Sequence, residues 1–168
     1  QAVTAYSSAI KLGPPPADLL YNLGSADLKL GHAHQAEKRF READAAKPKD
    51  AKILSNLALS LQQQGKLDEA IASYKSAIEI NPDDSALLQN FGMACKQNGN
   101  MQEAKSVLEK ALTVKNDSYC VHMALGEILA ADSQYEPAIA HYKQAAPLRP
   151  TESAPQFNIG GLYARQAK

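Results

Sequence analysis

Asparagine recurs at one interval along this chain. Asn22, Asn56, Asn90 and Asn158 fall in a single 34-residue register, with Ala124 in the remaining slot. A carboxamide carries two donors and an acceptor, so one side chain can pair with both the C=O and the N–H of a peptide unit. A ladder of such groups would hold an extended chain by its backbone, with little dependence on the sequence held. The titratable residues offer less. His32 and His34 have no cysteine near them and no carboxylate at ligand spacing, so they read as solvated turn residues and not as metal ligands. His122 takes a slot held by Leu20, Leu54 and Leu88 and reads as a partly buried structural histidine, whereas His141 beside Tyr142 reads as surface. Cys95 and Cys120 lack the spacing of a metal clip or a disulfide framework. They read as small semi-buried thiols, which fits a reducing compartment and favours the cytoplasm. There is no phosphate-cradling glycine loop, nucleophile elbow or zinc-protease helix motif. The sequence thus offers no catalytic residue, no metal site and no cofactor site, and points to binding chemistry.

The elements that would position these amides follow from the same period. Leu23-Gly24, Leu57-Ala58, Phe91-Gly92, Leu125-Gly126 and Ile159-Gly160 are each 34 residues apart. So are Ala36, Ala70, Ala104 and Ala138, and so are Phe40, Tyr74, Leu108 and Tyr142. A fixed period of this length means stacked units, because one unit cannot bury its apolar face alone. With each unit numbered 1–34 from Ala17, Ala51, Ser85, Tyr119 and Ser153, apolar or small residues fall at positions 4, 7, 8, 11, 20, 24 and 27. The spacing of Leu54, Leu57, Ala58 and Leu61 predicts one helix, and that of Ala70, Tyr74, Ala77 and Ile78 a second. Gly31, Gly65 and Gly99 suit the turn between them, where the fourth unit has Ser133. Asp50, Asp84 and Ser118 are expected to cap the next first helix, and Pro48, Pro82 and Pro150 to follow the second. Pro137 is expected in a first helical turn, and Ala146-Pro147 to disturb a last one. Small residues at position 8 suggest close helix approach, with the alanines at position 20 as the surface opposite.

Composition narrows the partner class. Lys plus Arg and Asp plus Glu both number 18, and the signs are mixed along the chain. That argues against a nucleic-acid or anionic-membrane footprint, which needs clustered cations. No apolar run approaches the roughly 18 residues of a membrane span, so no membrane insertion is expected.

A 34-residue unit with Leu-Gly, then Ala, Tyr or Phe, Ala and Pro resembles the tetratricopeptide repeat, over the whole chain. The pattern departs from the family at position 4, where Leu20, Leu54, Leu88, His122 and Gln156 replace an aromatic residue. The resemblance implies an all-α, right-handed superhelical solenoid of antiparallel helix pairs. Residues 1–168 form one array: 1–16 a second helix of a truncated repeat, 17–50, 51–84, 85–118 and 119–152 full repeats, and 153–168 a first helix. It also implies a protein-interaction scaffold, with an extended peptide or partner helix in a concave groove lined by the first helices. Carried onto this chain, the peptide-binding residues are Tyr21, Asn22, Ser25, Lys52, Asn56, Leu59, Gln89, Asn90, Met93, Met123, Glu127, Phe157 and Asn158. The asparagines resemble the ladder in the repeat domain of O-linked N-acetylglucosamine transferases, so an alternative is the substrate-recognition arm of a glycosyltransferase. The lysine and arginine pattern of the two-carboxylate clamp is not matched.

The register also bears on self-association. Gln1 aligns to position 19 and Lys168 to position 16. Val3, Tyr6 and Ile10 near one end, and Ile159, Leu162 and Tyr163 near the other, are expected to form apolar faces that seek cover. A third alternative is therefore a scaffold that stacks head to tail on copies of itself.

Overall fold

A computed structural model describes residues 15–167. Among these residues it contains α1 (Ala17–Lys29), α2 (Ala33–Ala46), α3 (Ala51–Gln63), α4 (Leu67–Ile80), α5 (Ser85–Gln97), α6 (Met101–Val114), α7 (Tyr119–Ala131), α8 (Tyr135–Ala145) and α9 (Ala154–Gln166), with no strand. A single 3₁₀ turn, Ala146–Leu148, follows α8.

Local chemistry sets the helix ends. Asp50 Oδ1 accepts from the Lys52 and Ile53 amides at 3.0 and 3.4 Å. Asp84 Oδ1 accepts from the Ala86 and Leu87 amides, both at 3.0 Å, and Ser118 Oγ from Val121 at 3.3 Å. These bonds satisfy donors that the first turn of a helix leaves unpaired. At the other end, Gly31, Gly65 and Gly99 take φ of 78°, 77° and 82°. The residue after each returns its amide to a carbonyl five residues back: His32 to Asp27 at 2.8 Å, Lys66 to Leu61 at 3.0 Å, Asn100 to Cys95 at 2.9 Å. Ser133 adopts the same left-handed geometry, φ 59°, and keeps the bond from Gln134 to Leu129 at 2.8 Å. Its side chain makes that geometry costlier than in glycine, by roughly 1 kcal/mol or more. Pro137 lies in the first turn of α8. Pro147 has the expected effect, since α8 stops at 11 residues where α2, α4 and α6 each run to 14.

The chain divides at Pro82–Asp83 into two compact units. In the first, α1 pairs with α2 and α3 with α4, and α2 also packs on α3. Its core gathers Leu20, Phe40, Ile53, Leu57 and Leu61 around Ala36, Ala43 and Ala70. In the second, α5 pairs with α6 and α7 with α8, while α9 packs on α8. Leu129, Ala138, Ile139, Tyr142 and Leu162 form one of its clusters, with Met123 and Ile159 against it.

The close approach at position 8 is real, but the residue opposite differs from the expectation. A Cβ on Gly24 would lie 2.8 Å from the Phe40 ring, and one on Gly92 2.6 Å from Leu108 Cγ. One on Gly126 would meet the Tyr142 ring. The large side chain at position 24 thus fills most of the space, and the position-20 alanine adds backbone only, the Ala104 carbonyl oxygen lying 3.5 Å from the Cβ site on Gly92. A long side chain on the second helix reaches back across its partner, whereas alanine cannot. At Gly160 an added Cβ meets nothing within 4 Å.

Charges reinforce the first unit. Asp27 occupies position 11, where the other complete units carry Leu61, Cys95 and Leu129, yet it is buried at 5% exposure. Arg39 Nε donates to its carboxylate at 2.6 Å. Glu37 on α2 accepts from Lys66 Nζ and Gln64 Nε2, both at 2.8 Å, and from Arg41. Burial pushes the Glu37 carboxyl upward, but the bonds from Lys66, Gln64 and Arg41 outweigh it and bring the pKa down to about 2. The Asp27–Arg39 bond lies within the first helix pair, and the Glu37 contacts tie that pair to the second.

His122 is buried, as its register suggested, but His141 is half-buried and not a surface residue. Their Nδ1 atoms lie 3.1 Å apart, and His122 Nε2 lies 3.0 Å from the Asn116 carbonyl oxygen. A carbonyl only accepts, so Nε2 of His122 carries the proton and its Nδ1 is bare. His141 Nδ1–H must then be the donor between the rings. Burial lowers the His141 pKa below its ordinary 6.5, and His122 and Lys105 act in the same sense against Glu109.

Three measurements follow from this packing. Tyr74 is fully buried, and Tyr74→Ala is expected to cost about 3–5 kcal/mol in chemical denaturation. Gly126→Ala, which forces a methyl into the Tyr142 ring, should destabilise by about 1–2 kcal/mol. Gly160→Ala should instead stabilise by up to about 1 kcal/mol, because its site is open and alanine is the better helix former. For His141 the folded pKa is depressed, so the unfolded chain binds the proton more tightly. Its contribution is complete above pH 6.5 and is lost as pH falls from 6.5 through the lower folded value. Thermal midpoints from pH 8 to 5 should decline less steeply for His141→Gln than for the parent.

Candidate functional site

In the first unit, the candidate residues sit on the side of α1 and α3 left uncovered by the core. Asn22 and Lys52 are exposed, and Tyr21, Ser25, Asn56 and Leu59 are half-buried. Asn56 Nδ2 donates to the Tyr21 hydroxyl at 3.0 Å. The Tyr21 ring in turn tilts against Phe40, with centroids 6.0 Å apart. One N–H of the Asn56 amide is used, which orients the group, and the carboxamide retains a second N–H and its carbonyl oxygen to offer. Tyr21 and Lys52 also line a concavity of about 520 Å³ with Asp18, Lys47, Lys49 and Asp50. Within it Lys47 Nζ pairs with Asp50 at 2.8 Å, an interaction that raises the lysine pKa and lowers that of Asp50.

The second unit treats its candidates less uniformly. Asn90 and Met93 on α5 are half-buried. Gln89 Oε1 accepts from Ser118 Oγ at 2.6 Å, beside a concavity of about 420 Å³ that both residues line. Glu127 is ion-paired with Lys96. Met123 packs against the α8–α9 cluster, so it contributes to the core and only partly to a surface. At the register position of the asparagines, Ala124 is buried at 2% exposure and interrupts the amide series. Glu127, Phe157 and Asn158 line a further concavity of about 410 Å³ with Tyr142 and Arg165. Burial raises the Tyr142 phenol pKa, and Glu127 adds to this, while a hydrogen bond with Asn158 opposes it. Asn56 and Asn158 are thus both bonded to tyrosine hydroxyls, a pairing that the 34-residue register alone does not reveal.

The residues expected to mediate self-association divide differently. Val3, Tyr6 and Ile10 lie outside the described residues. Leu162 is buried at 5% exposure within the α8–α9 cluster and is not on an open face. It holds position 10, which packs back on the preceding pair, as Ser60, Ala94 and Ile128 also do in being buried. Ile159 is half-buried and Tyr163 is 51% exposed. Phe157 is the most exposed large apolar residue described, at 81%.

Sequence reasoning missed the His122–His141 pair and the charge clasp on Glu37. For Asp27 a signal existed, a carboxylate in a slot otherwise apolar. Among the described residues no three His, Cys, Asp or Glu side chains converge as a metal site would require. No described helix is long and apolar enough to cross a membrane.

Comparison with known proteins places this geometry. Family models described as tetratricopeptide repeat match residues 17–50, 51–84 and 85–118. No curated protein gives a match. Among solved structures the chain is similar to MamA, at 18% identity and a TM-score of 0.84 over 91% of this chain and 90% of that one. PilF of Pseudomonas aeruginosa aligns at 22% identity and a TM-score of 0.81, over 98% and 79% of the two chains. YrrB, described as a tetratricopeptide protein with an unusual peptide-binding site, gives 15% identity and a TM-score of 0.81 over 97% and 84%. At these identities the likeness is one of fold, an all-α superhelical repeat. With three consecutive repeats matched, more than half its length, the chain belongs to the tetratricopeptide repeat family of protein-interaction scaffolds.

Proposed function

We propose that this scaffold binds an extended peptide along the uncovered side of its first helices, gripping the peptide backbone with side-chain amides. The observation that carries this reading is in the first unit. Asn22 is exposed, and Asn56 is oriented by the Tyr21 hydroxyl at 3.0 Å beside a concavity of about 520 Å³. An amide fixed before binding loses less freedom when a ligand arrives, which favours affinity. Main-chain recognition also suits a lining with few large apolar anchors, where Leu59 and the Tyr21 ring supply the apolar contact. In the second unit Asn90 and Met93 supply corresponding chemistry, and Phe157 with Asn158 offers an aromatic face beside an amide.

Peptides selected from a random display library against the parent protein supply the probe. Their affinity, measured by calorimetry, is expected to fall about thirtyfold in the Asn22→Ala, Asn56→Ala double variant, from the loss of about 2 kcal/mol of hydrogen bonding. The thermal midpoint should change little, because neither residue is in the core. Unchanged affinity for every selected peptide would show that the amides do not grip the ligand.

A further inference from the structure

The concavity beside Tyr21 holds more cations than its own carboxylates occupy. Lys47, Lys49 and Lys52 line it against Asp18 and Asp50. Lys47 and Asp50 pair at 2.8 Å, and Asp50 also caps α3. Lys49 and Lys52 are both exposed, and among the described residues neither is ion-paired. Lys49 is moreover held in a backbone geometry that a side chain disfavours. Its φ is 62°, and Ser133 is the one other described non-glycine residue with a positive φ. At position 33 the other repeats carry Asp83, Asp117 and Thr151, none of them left-handed. The second unit has a concavity at the same register, where the cations are engaged. Lys115 lies 3.5 Å from Asp117 at position 33, and Arg149 stands over the Tyr119 ring at 4.7 Å. Position 33 there supplies a partner for a cation, whereas in the first unit it supplies a further cation. A strained residue of a charge that the fold leaves unanswered points to a ligand.

We propose that Lys49 and Lys52 receive the side-chain carboxylate of an aspartate or glutamate in the bound peptide. The inference rests on the peptide reading above and adds to it a preference for one residue class. Tyr21 joins the two features, since its hydroxyl accepts from the Asn56 amide at 3.0 Å and the residue also lines the concavity. A peptide held at Asn56 therefore runs beside the lysines. A carboxylate entering there meets two cations that break no other ion pair to receive it, and such charge-assisted bonds are the stronger kind. The Asn81 carboxamide adds a neutral donor, and Ile53 and Ile80 add apolar lining for the methylenes of the incoming side chain. A lysine or arginine of the peptide would instead face like charges and is selected against.

The test uses peptides selected from a random library against the parent protein and synthesised with amidated C-termini, so that side chains carry their only carboxylates. Each acidic residue is replaced in turn by its amide. Affinities are measured by calorimetry for the parent and for a Lys49→Gly, Lys52→Gln double variant. One acidic residue should stand out: its replacement weakens binding to the parent about fivefold to tenfold and leaves binding to the double variant unchanged. The thermal midpoint of Lys49→Gly should be retained, because glycine takes a φ of 62° without a Cβ penalty, so lost folding would not account for the weaker binding. Selected peptides without acidic residues overturn the proposal. So does an acidic replacement that costs the parent and the double variant the same factor. If the Asn22→Ala, Asn56→Ala variant still weakens those peptides, the backbone grip stands and the acidic preference alone falls. A library that yields no binding peptide overturns both readings.

Discussion

The helix pair depends on one steric fact: a large side chain on the second helix needs room that a Cβ on the first would occupy. Phe40, Leu108 and Tyr142 take that room over Gly24, Gly92 and Gly126. Glycine inside a helix costs about 1 kcal/mol relative to alanine. Full burial of the large partner more than offsets this, since burying an aromatic or leucine side chain contributes roughly 1.5–3 kcal/mol. The second pair carries Ala58 with Tyr74, both fully buried, so the requirement is for a small residue and is strictest where the register places glycine. The remaining features serve this contact. The turn glycines set the return of the chain, and the aspartate and serine caps start the next helix at the point where its own slot falls in register.

Positions 7, 8, 11, 20, 24 and 27 assemble most of each helix pair's core, and position 10 packs on the pair before it, so only part of each first helix is left uncovered. That division of labour leaves exposed positions for Asn22, Lys52 and Glu127 on the first helices. It also explains why the first unit adds ionic contacts where the apolar pattern weakens. Asp27 in an apolar slot would be strongly unfavourable alone, and Arg39 at 2.6 Å answers it. Glu37 gathers Lys66, Gln64 and Arg41 on the boundary between two helix pairs, where apolar contact is thinner than within a pair. Glu37 thus bridges α2 to Gln64 and Lys66, which flank the turn between α3 and α4.

Periodicity made much of this legible. The helices, their caps, the left-handed turn at Gly31, Gly65 and Gly99, and the early end of α8 at Ala146-Pro147 all follow from residues read in a 34-residue frame. What the frame hides is pairing between different positions of the repeat. His141 looked like surface because its partner, His122, is 19 residues away and itself an exception to the register. Asn56 and Asn158 looked equivalent, yet one is held by Tyr21 on the preceding first helix and the other by Tyr142 on the preceding second helix. Leu162 looked available because it is apolar and near a face expected to be open, but position 10 turns toward the pair before it. A period tells which residues share an environment. It does not tell which individual side chains, varying within that environment, find one another.

That distinction bears on how a repeat protein acquires specificity. Residues fixed by the period make the stack and are interchangeable between copies, so they carry little information about a ligand. Information resides in the departures: Ala124 where an amide is due, Glu127 bound to Lys96, Phe157 standing 81% exposed at position 5, where the first three repeats place Tyr21, Ser55 and Gln89. A peptide held only by recurrent amides would slide from one repeat to the next, because each step offers the same partners. The break at Ala124 removes one rung, and Phe157 stands far more exposed than the half-buried Tyr21, the other aromatic at that position. If an extended peptide is the ligand, as proposed, these departures and not the recurrent amides would set its register.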